Sequence, residues 1–467
     1  MLALELIDAA LVLARDRGES ADIVADEPGV AILEDRATLT GVEALRRLRM
    51  QPLLAHTNFW RGLSTQPLTR ASRVAGTTAD VAFSQVEKLL GRFKQDKQAV
   101  LLAIPAGYSR EQLGLLLGVI NETGVRVAGL VDAALAACSL EPAPARILHL
   151  DLELHQALLT VLEYAGGEHA GLKRSRYEIA LRHGLLGIQQ SLVQFIAENF
   201  VRKTRFDPLH DAATEQHLVD HLPDWLSELQ QADTVTLSMQ FGERPLQLEI
   251  EREQLVAAAE PHYAELLRLV QGARVAGLPI DLRVSPRVAA LPGLLERFKT
   301  LRDCTIQVLP PAAAALGALQ YAAAIRRPAD SLALVYHLPT PRAESENTST
   351  ADFEATPEQL RPTHVLFQGR AWNISERPLT IGWAVDGRPR ALTLPNALPG
   401  ISRAHCTLVR RNGAVVIEDH STYGSFVNDE KVVGRTALTV GDHLRLGSPG
   451  VVLELIQLVN DDGAPQD

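Results

Sequence analysis

The 467-residue sequence predicts a multidomain protein, with an α/β domain over residues 1–328, a linker over 329–362, an all-β sandwich over 363–460 and a tail over 461–467. Three observations predict this division. Through the first region, continuous apolar runs alternate with apolar residues at helical spacing, as layered strands and helices require. Through the second, short strand-like runs are separated by turn residues. Between them, residues 339–362 (PTPRAESENTSTADFEATPEQLRP) are rich in Pro, Ser, Thr and Glu and carry few large apolar side chains to bury.

The 46% hydrophobic content is enough to fill real cores. A net charge of −10 argues against a general nucleic-acid or anionic-membrane binder, which needs a basic face to displace counterions. Cys138, Cys304 and Cys406 are odd in number and far apart, with no CxxC or His/Cys spacing, so neither a disulfide framework nor a metal site is expected. A reducing, cytoplasmic setting fits them. Residues 6–14 are apolar, but Glu5 and Asp8 interrupt the run and no basic segment precedes it, a poor match to a signal peptide. No run reaches the roughly 18 apolar residues of a membrane span, so no membrane insertion is expected.

In order along the chain, residues 100–104 are continuously apolar, as a strand covered on both faces should be, and Pro105 ends them. Ser109 stands three residues before Gln112, a capping box, and Leu113, Leu116, Leu117 and Ile120 continue it as a helix. Gly114 and Gly118 within it are expected at a close helix contact. A strand over 125–130 and an alanine-rich helix over 132–138 follow. Residues 147–152 and 157–162 read as strands joined by a turn at 153–156, and 186–203 as a long helix. Strands over 234–239 and 246–250, a helix over 253–270, a strand over 280–284, a helix over 290–300 and a strand over 305–309 come next. Pro310-Pro311 opens a last alanine-rich helix. In the C-terminal region, residues 365–368, 379–383, 391–394, 406–409, 414–418 and 451–458 read as strands, with Asn412-Gly413 as a hairpin turn.

Several N-terminal segments carry a family resemblance: AIPAGYSREQLGLLLGVINETGVRVAGLVDAALAA, then LHLDLELHQALLTVLEY, then LPGLLERF and VLPPAAAALGALQYAAAI. Their order resembles the actin/DnaK-type ATPase fold, which implies two phosphate loops and an adenosine site. Asp8, Asp132 and Asp151 match its acidic positions, but the loops depart from its pattern. Ala9-Ala10-Leu11 follows Asp8, Glu153-Leu154-His155-Gln156 stands where glycines and a threonine are expected, and Pro286-Arg287 replaces a glycine pair. Phosphate-cradling backbone resists side chains bearing a Cβ. Glu153 at about 4 Å from a phosphate would add a repulsion of about 1 kcal/mol in water and about 4 at an effective dielectric of 20. A pseudo-ATPase without cofactor is therefore expected, with ATP and Mg disfavoured, and Asp8, Asp132 and Asp151 acting as caps. No GxxxxGK[ST], HExxH or GxSxG motif occurs, and no catalytic residue is assigned.

At the C-terminus, Ser402-Arg403 with His405, and Ser421-Thr422 with Gly424 and Asn428, resemble the forkhead-associated (FHA) domain, a reader of phosphothreonine. The resemblance implies that Ser402, Arg403 and Thr422 hold phosphate, and that Gly382, His405, Gly424 and Asn428 shape the loops. Trp383 stands where the family has a phosphate-binding arginine, and Tyr423 where it has an asparagine. Losing one charge-assisted hydrogen bond of roughly 1.5–3 kcal/mol weakens binding by about one to two decades. Arg388 or Arg390 could supply the charge, and Trp383 and Tyr423 could stack on the ligand. Some bacterial FHA proteins resemble a self-locking switch, which singles out linker threonines Thr348, Thr350 and Thr356 as candidate internal ligands. The function expected is a non-catalytic signalling scaffold that binds a phosphorylated or acidic protein partner. The alternative is an ATP-binding chaperone or filament protein regulated by its FHA domain.

Overall fold

The computed structural model describes residues 1–457 apart from 19, 97, 168–169, 242–243, 275–278, 344–360, 368–369, 386–387, 395–399, 412, 429, 441 and 448–449, and apart from the side chains at 241 and 330. The chain divides into two compact units, residues 1–270 with 280–344, and residues 271–279 with 345–467.

The first unit is mixed α/β and repeats one plan. In its first half, Leu2–Ile7, Ala10–Asp16 and Ala21–Glu27 form an antiparallel meander. Ala99–Ile104 then pairs parallel with Leu2–Ile7, and Arg126–Asp132 parallel with Ala99–Ile104. In its second half, Arg146–Leu152, Gln156–Ala165 and Gly171–Leu181 form the meander, and Ile280–Val284 and Cys304–Val308 add in parallel on the outer side of the first strand. The apolar 99–104 strand is buried at every residue, as a parallel strand with both faces covered must be.

The helices Ala133–Cys138 and Ala313–Gln320 close the two halves and pack on each other. Their alanines permit a near approach, and a Cβ on Gly317 would collide with the Ala136 carbonyl. A core of buried side chains including Ile7, Leu101, Ala136, Ile147, Ala314 and Ala318 therefore runs through both halves.

Several expectations need correction. Leu334–Val335 pairs with Arg126–Asp132, and His337–Leu338 pairs with Gly171–Leu181, so the expected linker begins later than residue 329. Of the helix expected over 290–300 only Leu294–Lys299 forms, starting after Gly293 at a left-handed φ of 77°, and a separate short helix, Pro286–Ala289, precedes it. Gly114 and Gly118 are exposed, and a Cβ on either would meet nothing within 4 Å, so they mark no close contact. No described helix is long and apolar enough to cross a membrane.

The second unit is a β-sandwich. One sheet runs, edge to edge, through Arg370–Asn373, His364–Phe367, Val451–Ile456, His443–Leu446, Ser425–Val427 and Glu430–Lys431. The other runs through Ala391–Thr393, Leu379–Gly382, Cys406–Arg411, Ala414–Asp419 and Arg435–Leu438. Val365, Ile381, Leu408, Ile417, Leu444 and Leu453 are among the side chains filling the core between them. Arg411 pairs with Ala414 across the expected hairpin turn, where Gly413 has a φ of 80°. Asn412 lies outside the described residues.

Candidate functional site

In the sandwich, the loop before Cys406–Arg411 and the loop after Ala414–Asp419 are bonded into one edge. Thr422 N donates to Ser402 Oγ at 3.1 Å, which leaves the Ser402 hydroxyl hydrogen free to donate outward. Behind them His405 is fully buried. Its Nδ1 accepts from Ser402 N at 3.0 Å, and its Nε2 lies 3.1 Å from the Gly424 carbonyl. Those partners require the neutral tautomer with the proton on Nε2, and burial lowers its pKa to match. His405 is thus a brace between the two loops.

Gly424 turns the second loop at a φ of 86°, and its N–H donates to Ser421 Oγ at 2.7 Å. A Cβ on Gly382 would collide with the Arg403 carbonyl, so glycine lets the Leu379–Gly382 strand approach that loop. Asn428, left-handed at 51°, is held by Asp442 and by the His443 N–H. These residues shape the edge.

The exposed surface of that edge is made by Arg403, Thr422 and Tyr423. The Arg403 guanidinium lies 5.8 Å from the Trp383 ring centroid, within cation–π range. Arg390 is committed elsewhere: its guanidinium bonds Ser375, the Arg377 carbonyl and Asn373, so it does not supply the charge missing at Trp383. Arg388, exposed, reaches Thr380 Oγ1 at 3.5 Å. Thr348, Thr350 and Thr356 lie outside the described residues.

The first unit holds a different kind of centre. Arg287, from the short Pro286–Ala289 helix, bonds Asp151 through Nε at 3.1 Å and Nη2 at 2.8 Å, and its Nη2 also lies 3.4 Å from Glu5. Burial alone would raise the Asp151 pKa, but the guanidinium more than offsets this and holds it below the usual carboxylate range. Burial also pushes Glu5 up despite the arginine.

Asp8 and Asp132 are likewise spoken for. Asp8 Oδ1 accepts from Leu154 N at 2.7 Å, joining the two halves of the unit. Asp132 caps the Ala133–Cys138 helix through Leu135 N at 3.0 Å and pairs with Arg174 at 2.6 Å. The expected capping role fits Asp132 directly, whereas Asp8 and Asp151 act across the fold.

Beside Asp8, the hairpin turn presents Glu153 and Gln156 to a cavity of about 120 Å³. Burial first, and the nearby Asp8 second, push Glu153 up to about 8. Burial pushes Asp8 up to about 6. A second cavity, of about 130 Å³, lies against Glu5, Asp151 and Arg287. Both are below the roughly 300 Å³ at which small-ligand pockets begin. Sequence reasoning singled out Arg287 only as a lost glycine. The signal it missed was charge, a cation in the same fold as three orphan acids.

Residues 381–447 match the family model of the FHA domain. The C-terminal sandwich therefore carries an FHA domain, an interaction module. No curated protein matches the chain.

Proposed function

We propose that the chain is a non-catalytic scaffold whose FHA domain docks a phosphothreonine-bearing protein on the edge made by Ser402, Arg403 and Thr422. The observation that carries this reading is the Ser402 Oγ to Thr422 N bond, which unites the two loops within the matched segment. Ser402 Oγ–H, the Thr422 hydroxyl and the Arg403 guanidinium supply three donors for a phosphate. Trp383 orients Arg403 from below, and Tyr423, 58% exposed, offers an aromatic face to the residues flanking the phosphothreonine.

The N-terminal unit is, on this reading, a degenerate actin/DnaK-type body used for docking. Its twice-repeated meander with two parallel additions supports the fold. The residues present do not fit a magnesium nucleotide. Arg287 is already engaged by Asp151 and Glu5, the hairpin turn carries Glu153 and Gln156 where bare backbone is needed, and neither cavity has room for a triphosphate.

Titrating a phosphothreonine peptide library against the full chain tests the docking edge. Selected peptides are expected to lose about tenfold or more in affinity on Ser402→Ala, and to lose binding on removal of the phosphate. Binding indifferent to both changes would overturn the reading.

A further inference from the structure

We propose that the first unit carries a second anion site, a pocket of about 420 Å³ lined by Asn58, Arg61, His155, Leu181, Arg182 and Gly187 that takes a small phosphorylated molecule. It is separate from the FHA edge and goes beyond the docking role.

Several arginines of this unit are spent on carboxylates, among them Arg49 on Glu215, Arg174 on Asp132, Arg283 on Asp281 and Arg287 on Asp151. The Arg61 and Arg182 guanidiniums have no hydrogen-bond or ion-pair partner among the described residues, and both line this pocket. The Asn58 amide, also without a side-chain partner there, lines it too. Three unspent donor groups on one concave surface, in a chain of net charge −10, are a recognition feature for an anion.

Arg182 adds a second line of argument. Its φ of 69° is left-handed, a conformation that costs a residue with a Cβ roughly 1–2 kcal/mol. The fold imposes it, because Arg182 N donates to the His155 carbonyl at 2.9 Å and Gly187 packs so closely that a Cβ there would sit 2.6 Å from the Arg182 carbonyl. Glycine would adopt this backbone freely. An exposed arginine gains nothing from packing at such a position, so what it contributes is its charge.

The surroundings favour the same occupant. Gly187 belongs to the first turn of the 20-residue helix Leu185–Thr204, whose N-terminal end is partially positive. His155 is braced by Thr57, with Nε2 2.9 Å from the hydroxyl and 3.0 Å from the carbonyl. Arg61 also lines the cavity holding Asp8 and Glu153; burial pushes Glu153 up to about 8, so that acid is mostly neutral near pH 7, whereas Asp8, pushed to about 6, stays mostly ionised and offsets part of the Arg61 charge, leaving Arg182 as the unopposed cation. Two guanidinium forks and a helix end suit a phosphate better than a single carboxylate. The volume suits a small molecule.

The test is calorimetric titration of the full chain with inorganic pyrophosphate, in wild type and in Ser402→Ala. Saturable binding is expected in both. Arg182→Gly should weaken it by about tenfold to a hundredfold. The same change relieves the backbone, so the unliganded melting temperature should hold or rise, which separates loss of the site from loss of the fold. Arg61→Ala should give a comparable loss of affinity. No saturable binding in wild type, or binding that survives Arg61→Ala and Arg182→Gly together, would overturn the site. Binding abolished by Ser402→Ala alone would place the anion on the sandwich and overturn it equally. Citrate binding tighter than pyrophosphate would overturn the phosphate class.

Discussion

Removing the Arg287 side chain would leave Asp151 and Glu5 buried without their cation. Breaking such a pair from one side typically costs about 3–5 kcal/mol, so Arg287→Ala is expected to lower the melting temperature of the N-terminal transition sharply. Arg287→Lys should recover only part, because an ammonium cannot reproduce the two bonds made to Asp151. Glu153 gives a prediction of opposite sense. Its pKa is raised from 4.5 to about 8 in the folded chain. Between those values the folded state holds a proton that the unfolded state has released, so this group's contribution to stability falls as pH rises. Glu153→Gln is neutral throughout and keeps the backbone bonds of the turn. It should melt above wild type near pH 8, with the gap closing toward pH 4.5, and an unchanged pH profile would contradict the assigned shift.

Among the elements, the Arg110–Glu122 helix shows what a pattern can and cannot say. Its capping box is present as Ser109 and Gln112, each bonding the other's backbone, because that motif is complete within four adjacent residues. Its two glycines were expected to mark a close contact, and both face open space. Gly114→Ala and Gly118→Ala should therefore each stabilise the chain by about 1 kcal/mol, read from thermal or urea melts, since alanine gains helix propensity and meets no neighbour. A loss of stability on either change would restore the packing reading. The helix start after Gly293 and the late strands at Leu334–Val335 and His337–Leu338 were invisible for related reasons. A two-residue strand has no period to detect, and a left-handed glycine is the same letter as any other.

For the whole molecule, the charge network in the first unit predicts indifference to nucleotide. In a chain carrying Arg61→Ala and Arg182→Gly, which removes the separate anion pocket, saturating ATP with magnesium should leave the melting temperature unchanged, because a ligand stabilises only by binding the folded state. A rise would overturn the pseudo-ATPase reading and favour the ATP-binding alternative. The alternation of strands and helices, the apolar 99–104 strand, the alanine-rich closing helices and the β-sandwich were all legible in the chain. So were Ser402, Arg403, His405 and Thr422 as a group, because the motif holding them spans two neighbouring loops.

By itself the sequence determined the two fold classes and the FHA loops, since apolar period, turn residues and short motifs act over a few residues at a time. Only the tertiary structure decided where the charges go. Arg287 and Asp151 lie 136 positions apart, and Arg287 and Glu5 lie 282 apart. Arg390 turned out to be spent on Ser375 and Asn373, while Arg61 and Arg182 were left unspent beside one pocket. Whether a guanidinium is matched depends on which acid the fold brings within a few ångströms, and no local pattern carries that information.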